Sequence, residues 1–198
     1  MPKVGIEPVR KKQLIEATLH SIGELGLQGT TINTISRFAG MSSGIISHYF
    51  GGKQGLIEAT VRYLLVQLKT TLLHHVSRSE VSPRQRLMMI VEANFTNIQQ
   101  SDAVTRTWLS FWAQAMHDPE LAKLQRVNNR RLLSNLCYSY KHLMPASKAV
   151  DAAKMTASMI DGFWLRSALS DCSEIDFNEA EVLCKHFIDT LILQYGEH

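Results

Sequence analysis

The sequence predicts an all-α fold, on three observations. Apolar residues recur at helical rather than alternating spacing along almost all of the 198-residue chain. The breaks between those runs carry helix caps and short turns, with Thr31, Ser42, Ser82-Pro83 and Asp118-Pro119 as starts and Gly26, Gly40 and Gly51-Gly52 as stops. A hydrophobic share of 45% is enough to bury a real core, and no repeat, low-complexity tract or long linker interrupts the pattern.

The first helix is expected from about Arg10 to Leu25, with Ile15, Leu19 and Ile22 on one face and Gly26 as its stop. Thr31 N-caps a short second helix through about Ala39, and Gly40 ends it. Ser42 opens a third, which Gly51-Gly52 closes. A fourth begins near Lys53 and runs to about Val76, because Ile57, Val61, Leu64, Leu65, Leu68 and Leu72 keep the helical spacing. Its length suits a bridge between two domains. Beyond it, Ser82 before Pro83, Asp118 before Pro119, and Asp176 with Glu179 as a capping box open helices of about 83–100, 119–143 and 177–195. Two more fit near 103–116 and 148–169, which makes about nine in all.

The stretch Ser42 to Phe50, "SSGIISHYF", sets a glycine inside a short helix, where it costs about 1 kcal/mol relative to alanine. The missing side chain therefore serves close packing or close approach to a ligand. Two short helices joined by a tight glycine-containing turn, the second with a polar tip, match a helix-turn-helix. With Ile46 and Phe50 pointing inward beside Met41, the spacing puts Ile45 and Tyr49 on the outward face with Ser43, Gly44 and Ser47. Such a face can meet thymine methyls, base edges and phosphates, and the glycine lets the backbone approach a groove wall. Lys53, at a helix N-terminus, suits a backbone phosphate. Arg10-Lys11-Lys12 can reach flanking phosphates, or form an ordinary solvated charge cluster.

Thr31 through Phe50 and Lys53, with the turn Ala39-Gly40-Met41-Ser42, resemble the N-terminal domain of the TetR family of dimeric repressors. "GIISHYF", "RRLLSNL" (Arg130 to Leu136) and "DGFWLRSALS" (Asp161 to Ser170) are similar to a choline-responsive branch of that family, which governs glycine-betaine synthesis genes. The resemblance implies a helix-turn-helix domain over residues 1–52. It implies a ligand-binding and dimerisation domain over 53–198, with helix 53–76 bridging the two. It places the DNA contacts on Ser43, Gly44, Ile45, Ser47, His48 and Tyr49, with Thr31 and Asn33 on the preceding helix and Lys53 behind. Many members carry a second aromatic where Ser47 stands and a histidine where Tyr49 stands, so the phosphate contacts are redistributed here. A lone histidine such as His48 also serves as a plain surface hydrogen-bonder.

"WLSFWAQAMH", residues 108–117, sets Trp108 and Trp112 at i and i+4 with Phe111 and Met116 close by, and Trp164 follows Asp161 by three residues. A quaternary ammonium such as choline has no N–H donor, so aromatic faces and a carboxylate recognise it. Such aromatics serve equally as helical core. Asp161 stands in an apolar segment and needs a partner or a cation. Arg166, at i+5, is poorly aligned for the first role. Met155, Met159, Phe163, Leu183, Phe187, Leu191 and Tyr195 are the candidate homodimer stripe, or an intrachain core. A twofold contact there would set two reading heads about 34–36 Å apart, one DNA turn.

The formal charge of +3 is too small for a purely electrostatic nucleic-acid binder, so placement has to supply any basic function. Residues 1–53 hold six cations (Lys3, Arg10, Lys11, Lys12, Arg37, Lys53) against Glu7, Glu16 and Glu24. Three widely spaced cysteines, Cys137, Cys172 and Cys184, read as reduced packing residues of a cytoplasmic protein. The apolar runs are too short to span a bilayer, so no membrane partner is expected. Gly52-Lys53 lacks the rest of a phosphate-binding loop, with Ser47 and Gln54 where Gly and Ser or Thr are needed. No nucleophile elbow or paired metal-ligand spacing occurs; His74-His75 and Cys184-Lys185-His186 are weak ligand patterns. The expectation is a cytoplasmic, non-enzymatic repressor of near-palindromic operators, without cofactor or metal, answering to choline. A regulator of efflux genes sensing lipophilic cations, an all-α enzyme and a helical interaction module are the alternatives.

Overall fold

The computed structural model describes residues 6–76, 81–171 and 173–196. Cys172 lies outside them, as do the side chains of His74 and His75. Ten helical segments follow in order among the described residues: α1 (Ile6–Gly29), α2 (Ile32–Ala39), α3 (Ser43–Phe50), α4 (Lys53–Val76), α5 (Pro83–Asn94), α6 (Asn97–Gln100), α7 (Asp102–Ala115), α8 (Pro119–Tyr140), α9 (Ala146–Ala168) and α10 (Ser173–Tyr195). The all-α prediction holds, and α2, α3 and α4 have the expected bounds.

The chain folds as two compact units, one of Met1–Val66 with Ser101–Gln125 and one of Gln67–Gln100 with Arg126–His198. The expected division at residues 52/53 lies between α3 and α4, inside the first unit, which also takes in α7. In that unit α1, α2 and α3 close over Leu14, Ala17, Ile35, Ile46 and Leu56. The chain turns sharply at Gly26, whose φ of 66° most side chains avoid. Thr30 then ties the turn back. Ser21 Oγ donates to Thr30 Oγ1 at 3.1 Å and lies 3.2 Å from Thr34 Oγ1, and Thr30 Oγ1 donates to the Gly26 carbonyl at 2.8 Å. These hydroxyls satisfy one another out of water, where an unmade bond would be expensive.

Thr31 caps α2 reciprocally. Its hydroxyl accepts from the Thr34 amide at 3.1 Å, while its own amide donates to Thr34 Oγ1 at 2.8 Å. Gly40, left-handed at φ 62°, ends α2. Ser42 holds the N-cap position of α3 without making a side-chain capping bond. Behind α3, a Cβ on Gly55 would collide with the Phe50 carbonyl, so that glycine lets α4 start flush against the end of α3. α7 packs on α1, where a Cβ on Gly23 would lie only 3.0 Å from that of Ala103. Asp118 caps α8 through the Glu120 amide at 2.9 Å, and its other oxygen accepts from Gln54 Nε2 at 2.6 Å.

In the second unit α9 and α10 pack along each other and against α5. Arg84 grips Asp189 with two bonds of 2.7 Å. Lys185 bridges Glu92 and Glu181 at 2.7 and 2.6 Å. The Tyr140 hydroxyl lies 2.7 Å from Thr156 Oγ1, and burial pushes its pKa up to about 12. Two expectations fail here. The helix opening at Pro83 stops at Asn94 instead of reaching residue 100: the Asn94 side-chain amide donates to the Ile90 carbonyl at 2.7 Å, and Phe95 leaves the helix to meet Phe177 edge to face. Asp176 and Glu179 are no capping box, because α10 already begins at Ser173.

Candidate DNA-reading face and effector residues

α3 divides its residues by burial. Ile46 is fully buried, and Phe50 and Met41 pack beside it. Ser43, Gly44, Ser47 and His48 are exposed. Outside its own turn of helix, nothing among the described residues lies within 4 Å of where a Cβ on Gly44 would stand, so none of them requires that glycine. Ile45 corrects the sequence reading. It is half-buried and packs against the core from its edge, as does Tyr49, so neither stands free on the outer face. On α2, Asn33 is exposed, as is Thr31 at its cap.

The flanking charges are partly spoken for. Lys53 is half-buried, and its Nζ reaches the Leu27 carbonyl at 3.4 Å. Lys12 pairs with Glu16 at 3.5 Å and Lys11 with Glu7 at 2.7 Å, leaving Arg10 without an ion pair among the described residues. The Lys11 bond and charge lower the Glu7 pKa from its ordinary value. Lys11 Nζ also stands 5.7 Å from the centre of the Tyr49 ring, and His48 lies 5.0 Å from that ring on its own helix. The sequence reading missed this arrangement, although Glu7 and Lys11 at i and i+4 announced the ion pair.

The proposed effector residues fall in both units. On α7, Trp108 and Phe111 are buried with ring centres 5.8 Å apart, and half-buried Trp112 lies 6.3 Å from Trp108. Met116, at the C-cap, is 80% exposed and takes no part in that cluster, which corrects its place in the set. In the second unit Trp164 is buried against Phe177 at 5.9 Å. One turn earlier, Asp161 pairs with no cation among the described residues, Arg166 included. Asp161 retains open surface as a residue, yet crowding desolvates its carboxyl and lifts the pKa from 3.8 to about 6. Solvent beside it makes the effect on stability smaller than that shift alone implies. Among the described residues, no group of three or more histidine, cysteine, aspartate or glutamate side chains is placed to hold a metal ion.

The apolar stripe on α9 and α10 also divides. Leu191 is buried within the chain and offers nothing to a partner, which corrects its assignment. Phe163, Phe187, Met159 and Tyr195 are half-buried, the last beneath Lys148 Nζ at 5.2 Å. Met155 and Leu183 are exposed, and with them Leu165, Leu169, Val182 and Leu193, which the sequence reading passed over. A groove of about 370 Å³ lies between the two helices, with Phe163 and Leu183 beside Arg166, Asp176 and Glu179.

Residues 14–60 match the model for bacterial regulatory proteins of the tetR family, and residues 83–193 the model for the C-terminal domain of BetI-type transcriptional repressors. The chain belongs to the TetR family. This TetR-family chain is 47% identical over 198 residues to the HTH-type transcriptional regulator BetI 2 of Chromohalobacter salexigens, covering 99% of the chain and 95% of that protein. It is 48% identical over 192 residues to BetI of Burkholderia lata, covering 97% and 98%. Its fold is that of a TetR regulator from Haloarcula marismortui, with a TM-score of 0.81 at 20% identity over 92% of this chain and 98% of the other. A transcriptional regulator of Saccharomonospora viridis solved in complex with choline superposes with a TM-score of 0.80 at 16% identity, over 96% and 100%. The TetR-family chain is thus a transcriptional repressor with a BetI-type C-terminal domain, a regulator and not an enzyme, as its sequence predicted. Among the described residues no helix is long and apolar enough to cross a membrane.

Proposed function

We propose that the chain is a cytoplasmic homodimer that represses glycine-betaine synthesis genes by occupying a near-palindromic operator, and that choline is its effector. The observation that carries the DNA half is Gly44, a glycine exposed on α3 with open space where its side chain would be. Ser43, Ser47 and His48 beside it supply hydrogen-bonding groups for bases and phosphates. The exposed leucines, valine and methionine of α9 and α10 supply the apolar surface for a twofold partner. Choline links to DNA by mutual exclusion. A ligand that fits better in a conformation with wrongly spaced heads weakens DNA binding by the factor by which DNA weakens its own.

Selection of operators from random duplexes, repeated with choline, betaine aldehyde and glycine betaine, tests the reading. One palindrome is expected to emerge, and its recovery is expected to fall with choline. Absence of any enriched palindrome would sink the repressor function, whereas enrichment indifferent to all three compounds would remove only the effector.

The ammonium group is assigned to the Asp161 carboxylate, with the Trp164 indole one turn on. Protons then compete with choline. Calorimetric affinity for choline is expected to fall about tenfold between pH 7 and pH 5, across the Asp161 pKa of about 6. The sign for stability is opposite. The raised folded-state pKa means that the destabilisation by the ionised form is complete above about pH 6, and stability returns as pH falls from about 6 towards 3.8. Asp161→Asn is expected to abolish both dependences; a choline affinity that is flat in the unsubstituted chain would remove Asp161 from the site.

A further inference from the structure

α1 is the least expected contributor to base reading, since it lies outside the helix-turn-helix pair, yet it carries a charge onto the reading helix. Lys11 Nζ stands 5.7 Å from the centre of the Tyr49 ring, within the range of attraction between a cation and an aromatic face. The same ammonium pairs with the Glu7 carboxylate at 2.7 Å, one helical turn before it, with both side chains partly exposed. The ring is bounded along α3 by His48 at 5.0 Å and is half-buried against the edge of the core. Core edge, imidazole and ammonium thus each meet the Tyr49 ring. Lys12, in contrast, pairs among the described residues with Glu16 on its own helix.

We propose that Lys11, held in place by Glu7, is a positioning residue that sets the orientation of the Tyr49 ring and through it the base preference of the reading helix. The inference rests on the DNA-binding function proposed above. Its content is that a lysine of α1 acts through an aromatic ring and not only on a phosphate. A side chain that merely neutralises phosphate changes affinity for all sequences alike and lowers the salt dependence, whereas one that orients a reading group changes the ratio between sequences.

The test measures competition between the selected operator and its single-base variants, at two salt concentrations, with the full-length chain. Tyr49→Ala first identifies the base pairs that depend on the ring. At those pairs Lys11→Met is expected to lower discrimination about two- to fivefold, the range for a single exposed cation–ring contact. Lys11→Arg, which keeps a cation over the ring, is expected to retain it, and Lys12→Met to leave it unchanged. Glu7→Gln is expected to tighten binding to all DNA while lowering discrimination, since it removes a repelling charge and frees Lys11 together. In the Tyr49→Ala background Lys11→Met is expected to cause no further change in discrimination.

Three outcomes would overturn the inference: Lys11→Met weakening every sequence equally, the same loss persisting without the ring, or Tyr49→Ala altering no base preference. A parent chain that selects no palindrome overturns the DNA-binding function, and this positioning role with it. A parent that selects one while Lys11→Met discriminates normally overturns only the role of Lys11.

Discussion

A Gly44→Leu chain is expected to fold normally and to lose its operator. Among the described residues no neighbour outside the local helix lies within 4 Å of the Cβ position, and Gly44 is exposed, so the free protein is expected to accommodate the side chain. Exchanging an exposed helical glycine for a good helix former stabilises the helix by up to about 1 kcal/mol. Between α3 and the wall of a DNA groove, the same side chain would push the helix away and cancel the short-range contacts that separate specific from non-specific binding, worth about 10³-fold or more. Gly44→Ala is expected to show both effects in smaller measure. Thermal melting and gel-shift titration with the selected operator read the two quantities separately. Retention of full operator affinity by the leucine variant would show that this face of α3 does not enter a groove.

Ile46→Ala is expected to destabilise the chain by about 2–5 kcal/mol, the range for emptying a buried isoleucine site. Ile46 is 0% exposed in a core with Leu14, Ile35 and Leu56, so its loss leaves a cavity among buried apolar side chains. Ile45→Ala, at the half-buried edge, is expected to lose less than half as much stability. Urea unfolding of the two variants beside the parent provides the comparison. Equal losses would mean that both side chains serve the core, leaving α3 without the division of labour assigned to it.

That division was only half legible in the sequence. The inward turn of Ile46 follows from helical period alone, because Ile46 and Phe50 share a face with Met41 nearby. Period also placed Ile45 a step round the helix, but not what stands there. Ile45 and Tyr49 both meet the edge of the core, and Lys11 of α1 lies over the Tyr49 ring. Contacts across elements carry no local signature. Caps do, which is why Thr31, Ser82 and Asp118 were readable: each depends on amides two or three residues ahead. Asp176 and Glu179 imitate that chemistry within a helix already under way. The aromatic effector set shows the same limit. Trp108, Phe111 and Met116 look alike on a helical diagram, but Met116 stands at the end of α7 and faces solvent. Leu191 and Leu193, two residues apart, have opposite fates at 3% and 74% exposure, decided by which side of α10 meets α9.

The close approach of Gly23 to Ala103 bears on how regulators of this kind exchange parts. Because α7 packs on α1 in the same compact unit, and Gln54 at the head of α4 bonds to Asp118 at the start of α8, the N-terminal helices share their unit with a later stretch of chain. A gene fusion joined after residue 52 would graft α1, α2 and α3 without α7, which packs on α1. A transplant of the whole first unit is expected to take two separate stretches of chain, with Ser101–Gln125 travelling alongside the first.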